Sequence, residues 1–397
     1  MDVVYVRCAG MDISKKDVKV CVRVAAPGGR TKTESTTWGA VSSQILALGD
    51  YLLEQRVECV VMEATGDYWK PFYHLLGEAG LDVVLANARS VRQIPGRKTD
   101  VADAAWLADL CAHGLVRGSF VPPAPIRELK DLVRARTIMV RLRGQEAQRL
   151  EKLLESAAIK LSSTISNILG SSGRRIVEAM IQGRNDPAAL AGLGGSRLKA
   201  SKNDLAEALT GRFTAHHAFL AQLHLDTIDG YTTQINSIDE RIGTYFDPKD
   251  DDSRAGADLA KDLEEARKNL TTIPGVSQTV AEVILSEIGC DLSSFHTPEK
   301  LTSWAGVAPG SNESAGKVKS SRCRPGNTYL KGALGIAALA ATNTKNTFLR
   351  ARYQRIARRR GHVRALVATE RAILKAVWHI LTTGLALTVW CGPTVTV

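Results

Sequence analysis

The sequence predicts an α/β amino-terminal unit followed by a largely α-helical remainder. Strand-length apolar runs alternate with helically spaced apolar residues from position 3 to about 113, whereas the stretches 125–169 and 219–245 keep a helical repeat throughout. Turn-rich breaks then separate further helical segments towards the carboxyl end. At 397 residues the chain has the length for two or three domains, and the expected divisions are 1–120, 121–255 and 256–397.

Residues 3–13, 18–25 and 32–38 read as three strands in an antiparallel meander, joined by the polar turns Ser14 to Asp17 and Pro27 to Arg30. The first is an apolar run (Val3, Val4, Tyr5, Val6, Cys8, Met11) that ends on a carboxylate, Asp12. An acid where a buried strand emerges carries a desolvation cost unless a cation or a donor meets it. A helix over Ser42 to Gln55 (Ile45, Leu48, Tyr51, Leu52) precedes a short apolar strand, Val57 to Glu63, which again ends on an acid. Helix Tyr68–Glu78, strand Leu81–Ala86 and a helix from about Asp100 to His113 complete the unit.

A basic loop (Arg89, Arg92, Arg97, Lys98) leads into Thr99-Asp100-Val101-Ala102-Asp103. Asp100 and Asp103 are three apart at a helix start, so both carboxylates share one face of its first turn. With Asp12 and Glu63 they make four acids able to hold one or two divalent ions, and hard oxygen ligands without nearby His or Cys favour Mg²⁺ or Mn²⁺ over zinc. Taken singly each has a plainer reading. Asp100 and Asp103 complement a helix dipole, worth ~0.3–1 kcal/mol; Glu63 caps the following helix, and Asp12 forms a turn before Ser14. Those readings require separate explanations for two acids at buried strand ends.

The 44% hydrophobic and 23% charged content is that of a folded globular chain, and the net charge of +11 points to a polyanionic partner, nucleic acid before an anionic membrane. Seven scattered cysteines (Cys8, Cys21, Cys59, Cys111, Cys290, Cys323, Cys391) with no C-x-x-C argue against zinc and against a disulfide framework. A reducing cytoplasm is expected, with no signal peptide. The apolar run Ala376 to Cys391 falls short of the ~20 residues of a spanning helix. It is expected to be a buried carboxyl-terminal helix, with no membrane partner.

From Pro125 to Leu169 one long helical region carries Arg127, Lys130, Arg134, Arg136, Arg141, Arg143, Arg149 and Lys152 beside a helical apolar repeat. It reads as a coiled-coil arm, as a basic ridge for nucleic acid, or as both. Helix Phe219–Tyr245 is expected to return antiparallel to it. The acidic break from Asp247 to Asp252 lacks the Gly and Glu of a calcium loop and reads as a linker.

The stretch Leu270 to Ser277, with Pro274 and Gly275, leads into a helix over Gln278–Ile288, a helix-hairpin-helix pattern whose backbone N–H groups suit a phosphate. A plain helix connector is the alternative. Trp304 to Lys317 is a Gly/Ser loop followed by Lys317, Lys319, Arg322, Arg324 and the helix start Asn327 to Lys331. Small residues beside Ser314 leave room for a DNA backbone, and the cations would offset phosphate charge. Locally this is either an ordinary flexible loop or one presenting a nucleophile; without a neighbouring His, a Ser-His-Asp hydrolase is disfavoured. A basic helix then places seven arginines (Arg350, Arg352, Arg355, Arg358, Arg359, Arg360, Arg364) within fifteen residues, more than solubility needs.

Five stretches, in order and spacing, resemble the transposases of the IS110 insertion-sequence family: Gly10-Met11-Asp12-Ile13-Ser14-Lys15, Met62-Glu63-Ala64-Thr65-Gly66, Lys98 to Ala104, Ile273-Pro274-Gly275-Val276, and Ala305-Gly306-Val307-Ala308-Pro309 through Glu313-Ser314-Ala315-Gly316-Lys317. The resemblance spans nearly the whole chain. It implies a RuvC-like, RNase H-type domain over 1–120 carrying an Asp-Glu-Asp-Asp set, a coiled-coil middle over 121–255 that mediates assembly, and a transposase domain over 256–397 with a catalytic serine. By motif, Asp12, Glu63, Asp100 and Asp103 would bind Mg²⁺ or Mn²⁺ and Ser314 would be the nucleophile; Ser311, Ser320 and Ser321 lie close by, so that assignment rests on the Ser-Ala-Gly-Lys context. The family also implies donor and target DNA as substrates, a structured noncoding bridge RNA as guide, a homo-oligomer (dimer or tetramer) in which one subunit's acids meet another's serine, and a cytoplasmic, nucleoid-associated setting in a bacterium or archaeon. Arg92, Arg97, Lys98, Gly275, Lys317, Lys319, Arg322, Arg324, Lys331, Arg355, Arg358 and Arg359 are the expected nucleic-acid contacts. Two rivals remain: a Mg²⁺-dependent junction-resolving nuclease that uses water and forms no covalent intermediate, and a non-catalytic nucleic-acid-binding protein with a degenerate RNase H-type domain.

Overall fold

The computed structural model describes residues 3–25, 31–63, 66–86, 102–196, 198–249, 256–310, 312–314, 317–320 and 322–386. They form two compact units, 1–121 and 122–397.

The first unit is a mixed sheet covered on both faces. Strands β1 (Arg7–Ile13), β2 (Asp17–Ala25) and β3 (Thr31–Gly39) make the antiparallel meander; β4 (Cys59–Glu63) and β5 (Val83–Ala86) run parallel to β1 on its other side, in the order β3-β2-β1-β4-β5. The apolar run at the amino end enters the sheet only at Arg7, and Val3, Val4 and Val6 before it are exposed. Helices α1 (Ser42–Glu54) and α2 (Trp69–Glu78) connect the parallel strands and bury Ile45, Leu48, Leu52, Phe72 and Leu76 on one face, against Ala9, Met11, Val20, Val60 and Met62. Helix α3 (Ala102–Ala112) covers the opposite face with Ala104, Leu107, Ala108, Leu110 and Cys111, against Cys8, Cys21, Cys59 and Val61. Strand β4 is buried on both faces, which is why it reads as an unbroken apolar run.

The second unit is built on α4 (Ala124–Ser156). The helix stops well short of Leu169: Ala158 takes a left-handed φ of 59°, and the chain folds into a small helical tip. The tip holds α5 (Leu161–Thr164), α6 (Ser171–Ile181), α7 (Pro187–Gly192) and α8 (Lys202–Ala208) around a core of Ile159, Ile176, Val177, Met180, Leu190 and Leu205, which continues into Leu150 and Leu154 of α4 and into Ala221, Leu225 and Ile228 of the returning helix. Helix α9 (Ala215–Thr244) then returns antiparallel to α4, as the pairs Glu146–His224, Arg136–Asp239 and Glu128–Tyr245 require. Helices α10 (Ala257–Leu270), α11 (Gln278–Ile288), α12 (Pro298–Trp304), α13 (Thr328–Asn343), α14 (Phe348–Arg360) and α15 (His362–Thr383) complete the unit. The arginine-rich stretch is therefore two helices broken at Gly361 (φ 83°), and the apolar carboxyl-terminal helix ends at Gly384 in the left-handed region. No described helix is long and apolar enough to cross a membrane.

Candidate active site

In the first unit, Asp12 and Glu63 end neighbouring parallel strands whose register pairs Gly10 with Val61 and Met11 with Met62. Carried one residue further, that register sets Asp12 level with Glu63. Alternation puts both on the face of Cys8, Gly10, Cys59 and Val61, the face covered by α3. Helix α3 lies directly on Gly10: a Cβ there would stand 2.1 Å from the Ala104 carbonyl oxygen and 2.4 Å from the Ala108 nitrogen. Only a glycine lets the helix backbone approach the strand so closely. Asp103, in the first turn of α3, is thereby carried over the same face, and all three carboxylates are half-buried.

Asp100, Arg92, Arg97 and Lys98 lie outside the described residues. Among the described residues no three His, Cys, Asp or Glu side chains stand close enough together to hold a metal ion. In donor chemistry the set fits a hard divalent cation, because oxygen ligands at one strand-end face with no thiol or imidazole among them suit Mg²⁺ or Mn²⁺. Lys19 stands beside Asp12, although no motif marks it. It is the cross-strand partner of Asp12, exposed, and on the same face; its only signal in the sequence is its alternation with Val18 and Val20.

Ser314 lies in the second unit, on a two-stranded ribbon. Strands β6 (Asn312–Ser314) and β7 (Lys317–Ser320) pair antiparallel, with Ser314 opposite Lys317 at the turn and Asn312 opposite Ser320. The close pairing continues below them. A Cβ on Gly310 would stand 2.5 Å from the Arg322 carbonyl oxygen, one on Gly306 (φ 74°) 2.7 Å from the Arg324 carbonyl oxygen, and one on Gly326 2.3 Å from the Ala305 carbonyl oxygen. The three glycines thus let the two arms touch at Gly306 and Gly326 and again at Gly310 and Arg322. Ser311 and Ser321 lie outside the described residues, and Ser320 sits on the returning arm.

The root of the ribbon joins a buried ion cluster. Asn327 caps α13, its Oδ1 accepting from the backbone N–H groups of Tyr329 and Leu330, while its Nδ2 donates to Glu287 Oε2 at 2.6 Å. Glu287 on α11 also accepts from Arg134 Nε at 2.6 Å and Nη2 at 3.0 Å, and lies 3.3 Å from Lys130 Nζ. Burial pushes the Glu287 carboxyl up, and the Arg134 hydrogen bonds, the two cations and the Asn327 amide outweigh it and hold the group below the ordinary carboxylate range. Burial pushes the Lys130 ammonium down against the pull of Glu287. One helical turn away, Arg136 donates to Glu282 at 2.7 Å and to Asp239 at 2.8 Å.

These contacts correct the reading of α4 as one continuous basic ridge. Lys130, Arg134 and Arg136 face buried acids of α11, whose charge they offset, and only part of the helix, including Arg141 and Arg149, is exposed. Gly275 also has a packing role. With φ at 89°, a Cβ on it would stand 2.2 Å from the Ala337 carbonyl oxygen of α13. On α14, Arg355, Arg358 and Arg359 are exposed, and no described carboxylate pairs with them; Arg322 and Arg324 are exposed, and Lys331 is half-buried.

Residues 9–159 match a family model named for the DEDD transposases of the IS110 type and described as "Transposase". Residues 267–354 match the model described as "Transposase IS116/IS110/IS902 family". The chain belongs to the IS110 family of transposases. No curated protein matches it. This IS110-family transposase is thus a DNA transposase and recombinase, with DNA as its partner, and its DEDD designation points to divalent-metal use. One matched region holds Asp12, Glu63, Asp100 and Asp103, and the other holds the Ser314 ribbon.

Proposed function

We propose that this transposase cuts and rejoins DNA through a covalent 5′-phosphoserine intermediate on Ser314, with Mg²⁺ (or Mn²⁺) held by Asp12, Glu63, Asp100 and Asp103. The observation that supports this reading is the backbone position of Ser314. Ser314 is the last residue of β6, opposite Lys317 of β7 and beyond the backbone contacts of Gly306, Gly310 and Gly326, a position from which a nucleophile could be offered to DNA. The strand order β3-β2-β1-β4-β5, with an acid ending each of β1 and β4, supports a RuvC-like, RNase H-type first domain. The bound cation would supply charge neutralisation at the scissile phosphate. Ser314 Oγ bonds to phosphorus and gives up its proton, and the DNA 3′ oxygen leaves and takes one up. The phosphodiester energy is conserved in the serine ester, and attack by another strand's 3′ hydroxyl restores the free serine.

The exposed arginines of α14 and the cations flanking the ribbon would grip nucleic-acid backbones without reading sequence. Base pairing with a structured bridge RNA would then choose the target. A homo-oligomer, dimer or tetramer, would bring one subunit's serine to another's acids, in a cytoplasmic setting. The helical stretch 121–255 would serve assembly, and 256–397 would act as the transposase domain.

The test is to trap the intermediate. Denaturing the chain after incubation with Mg²⁺ and its element's end DNA should yield a protein–DNA adduct, absent from Ser314→Ala and retained in Ser320→Ala. Cut DNA without any adduct would favour a junction-resolving nuclease that uses water. Sequencing the RNA that copurifies should find one dominant structured species; random cellular RNA would count against the guide.

A further inference from the structure

Glu287 takes no part in the chemistry above, yet it gathers three donors from two other elements in a site where its side chain is 1% exposed. A carboxylate buried so deeply is costly, and an apolar residue of similar volume would commonly stabilise a helix contact as well. What the acid adds is directional bonding, and the place where those bonds end is informative. Its Asn327 bond fixes the residue next to Gly326, and Gly326 is in backbone contact with Ala305 and Gly306 at the foot of the outgoing arm. Its bidentate Arg134 bond fixes α4, and the same guanidinium lies 4.6 Å over the Tyr329 ring of α13. Helices α4, α11 and α13 therefore meet around one carboxylate, bonded to the residue next to the foot of the ribbon.

We propose that Glu287 is the positioning residue of the serine ribbon, fixing through Asn327 the direction in which the ribbon leaves the helical unit and tying that direction to α4. The inference rests on Ser314 being the nucleophile. From Gly310, which meets Arg322, to Ser314 four residues at ~3.3 Å each reach at most roughly 13 Å, so a rotation of about 10° at the root moves the tip by roughly 2 Å. A displacement of that size separates a near-attack geometry from an idle one.

Two variants of the full-length chain test this. Asn327→Ser keeps a helix cap but loses the amide donor to Glu287, and Arg134→Lys keeps the charge but loses the bidentate bond and the ring contact. The measurements are the single-turnover rate of adduct formation at saturating DNA, the DNA concentration for half-saturation, and hydrogen exchange of the β6 and β7 amides without DNA. Both variants should lose at least tenfold in rate with half-saturation unchanged within twofold, and the β6 and β7 amides should exchange about tenfold faster while those of the β1–β5 sheet hold steady. An unchanged rate, or a rate and half-saturation that worsen together with a lowered melting temperature, would overturn the proposal in favour of plain structural support. If the wild-type chain forms no adduct, the Ser314 reading fails, and the exchange comparison then decides alone: faster exchange upholds the clamp and unchanged exchange overturns it.

Discussion

Gly10 meets Ala104 backbone to backbone, with a Cβ position only 2.1 Å from the Ala104 carbonyl oxygen. That approach fixes the height of α3, and with it Asp103, above the strand that carries Asp12. Gly10→Ala should push the helix outwards, costing about 1–3 kcal/mol of stability by overpacking and roughly a hundredfold in cleavage rate by misplacing Asp103. Urea unfolding and a single-turnover cleavage assay check the two halves separately.

Asp12→Asn and Glu63→Gln preserve shape while removing charge at adjacent strand ends. Each should leave DNA affinity within about threefold and abolish cleavage across a Mg²⁺ and Mn²⁺ titration. Cleavage persisting in either variant would refute the assignment of that acid as a metal ligand.

Replacing Arg355, Arg358 and Arg359 together by Ala should weaken binding to any DNA sequence to a similar extent. If each arginine neutralises one phosphate, the slope of log affinity against log salt should become shallower by about 2.7, that is ~0.9 for each phosphate no longer neutralised. A slope that stays the same would remove α14 from the nucleic-acid interface.

Glu287 links stability to pH. Its folded pKa lies below that of an unfolded glutamate, about 4.3, so its contribution is complete above that value and is lost as pH falls through the folded pKa. Glu287→Gln leaves buried cations uncompensated and should cost about 3–5 kcal/mol at pH 7. Denaturant midpoints measured from pH 7 to pH 3 should show the wild type losing its advantage and the two curves converging in acid. Parallel curves would mean that the carboxylate carries no net charge at neutral pH.

Most strand and helix positions are legible in the sequence because period-2 and period-3.6 patterns report burial locally. Helix Gln278–Ile288 is bounded by Ser277 and Gly289 as its end residues indicate, and Asp12 and Glu63 stand out as charges ending apolar runs. Where the sequence misleads, the deciding partner is remote along the chain. The apolar repeat continues past Ser156 because the tip is helical too, and nothing before Ala158 shows the chain turning into a separate core. Lys130, Arg134 and Arg136 resemble a solvated basic face until Glu282 and Glu287, about 150 residues away, are seen to be buried against them. The glycines at 306, 310 and 326 look like loop flexibility, whereas their spacing lets two distant arms touch.

The small helical tip closes on itself where it joins the arm: the backbone N–H of Arg212 donates to the Ala157 carbonyl at 2.8 Å, and that of Lys160 to the Ala208 carbonyl at 2.7 Å. The chain therefore enters and leaves residues 158–211 at nearly one point, and those residues bury a core largely of their own. A segment closed in this way behaves as a cassette. Changing its length should cost little in loop-closure entropy, provided that the face packed on Leu150, Leu154, Leu225 and Ile228 of the arm is kept.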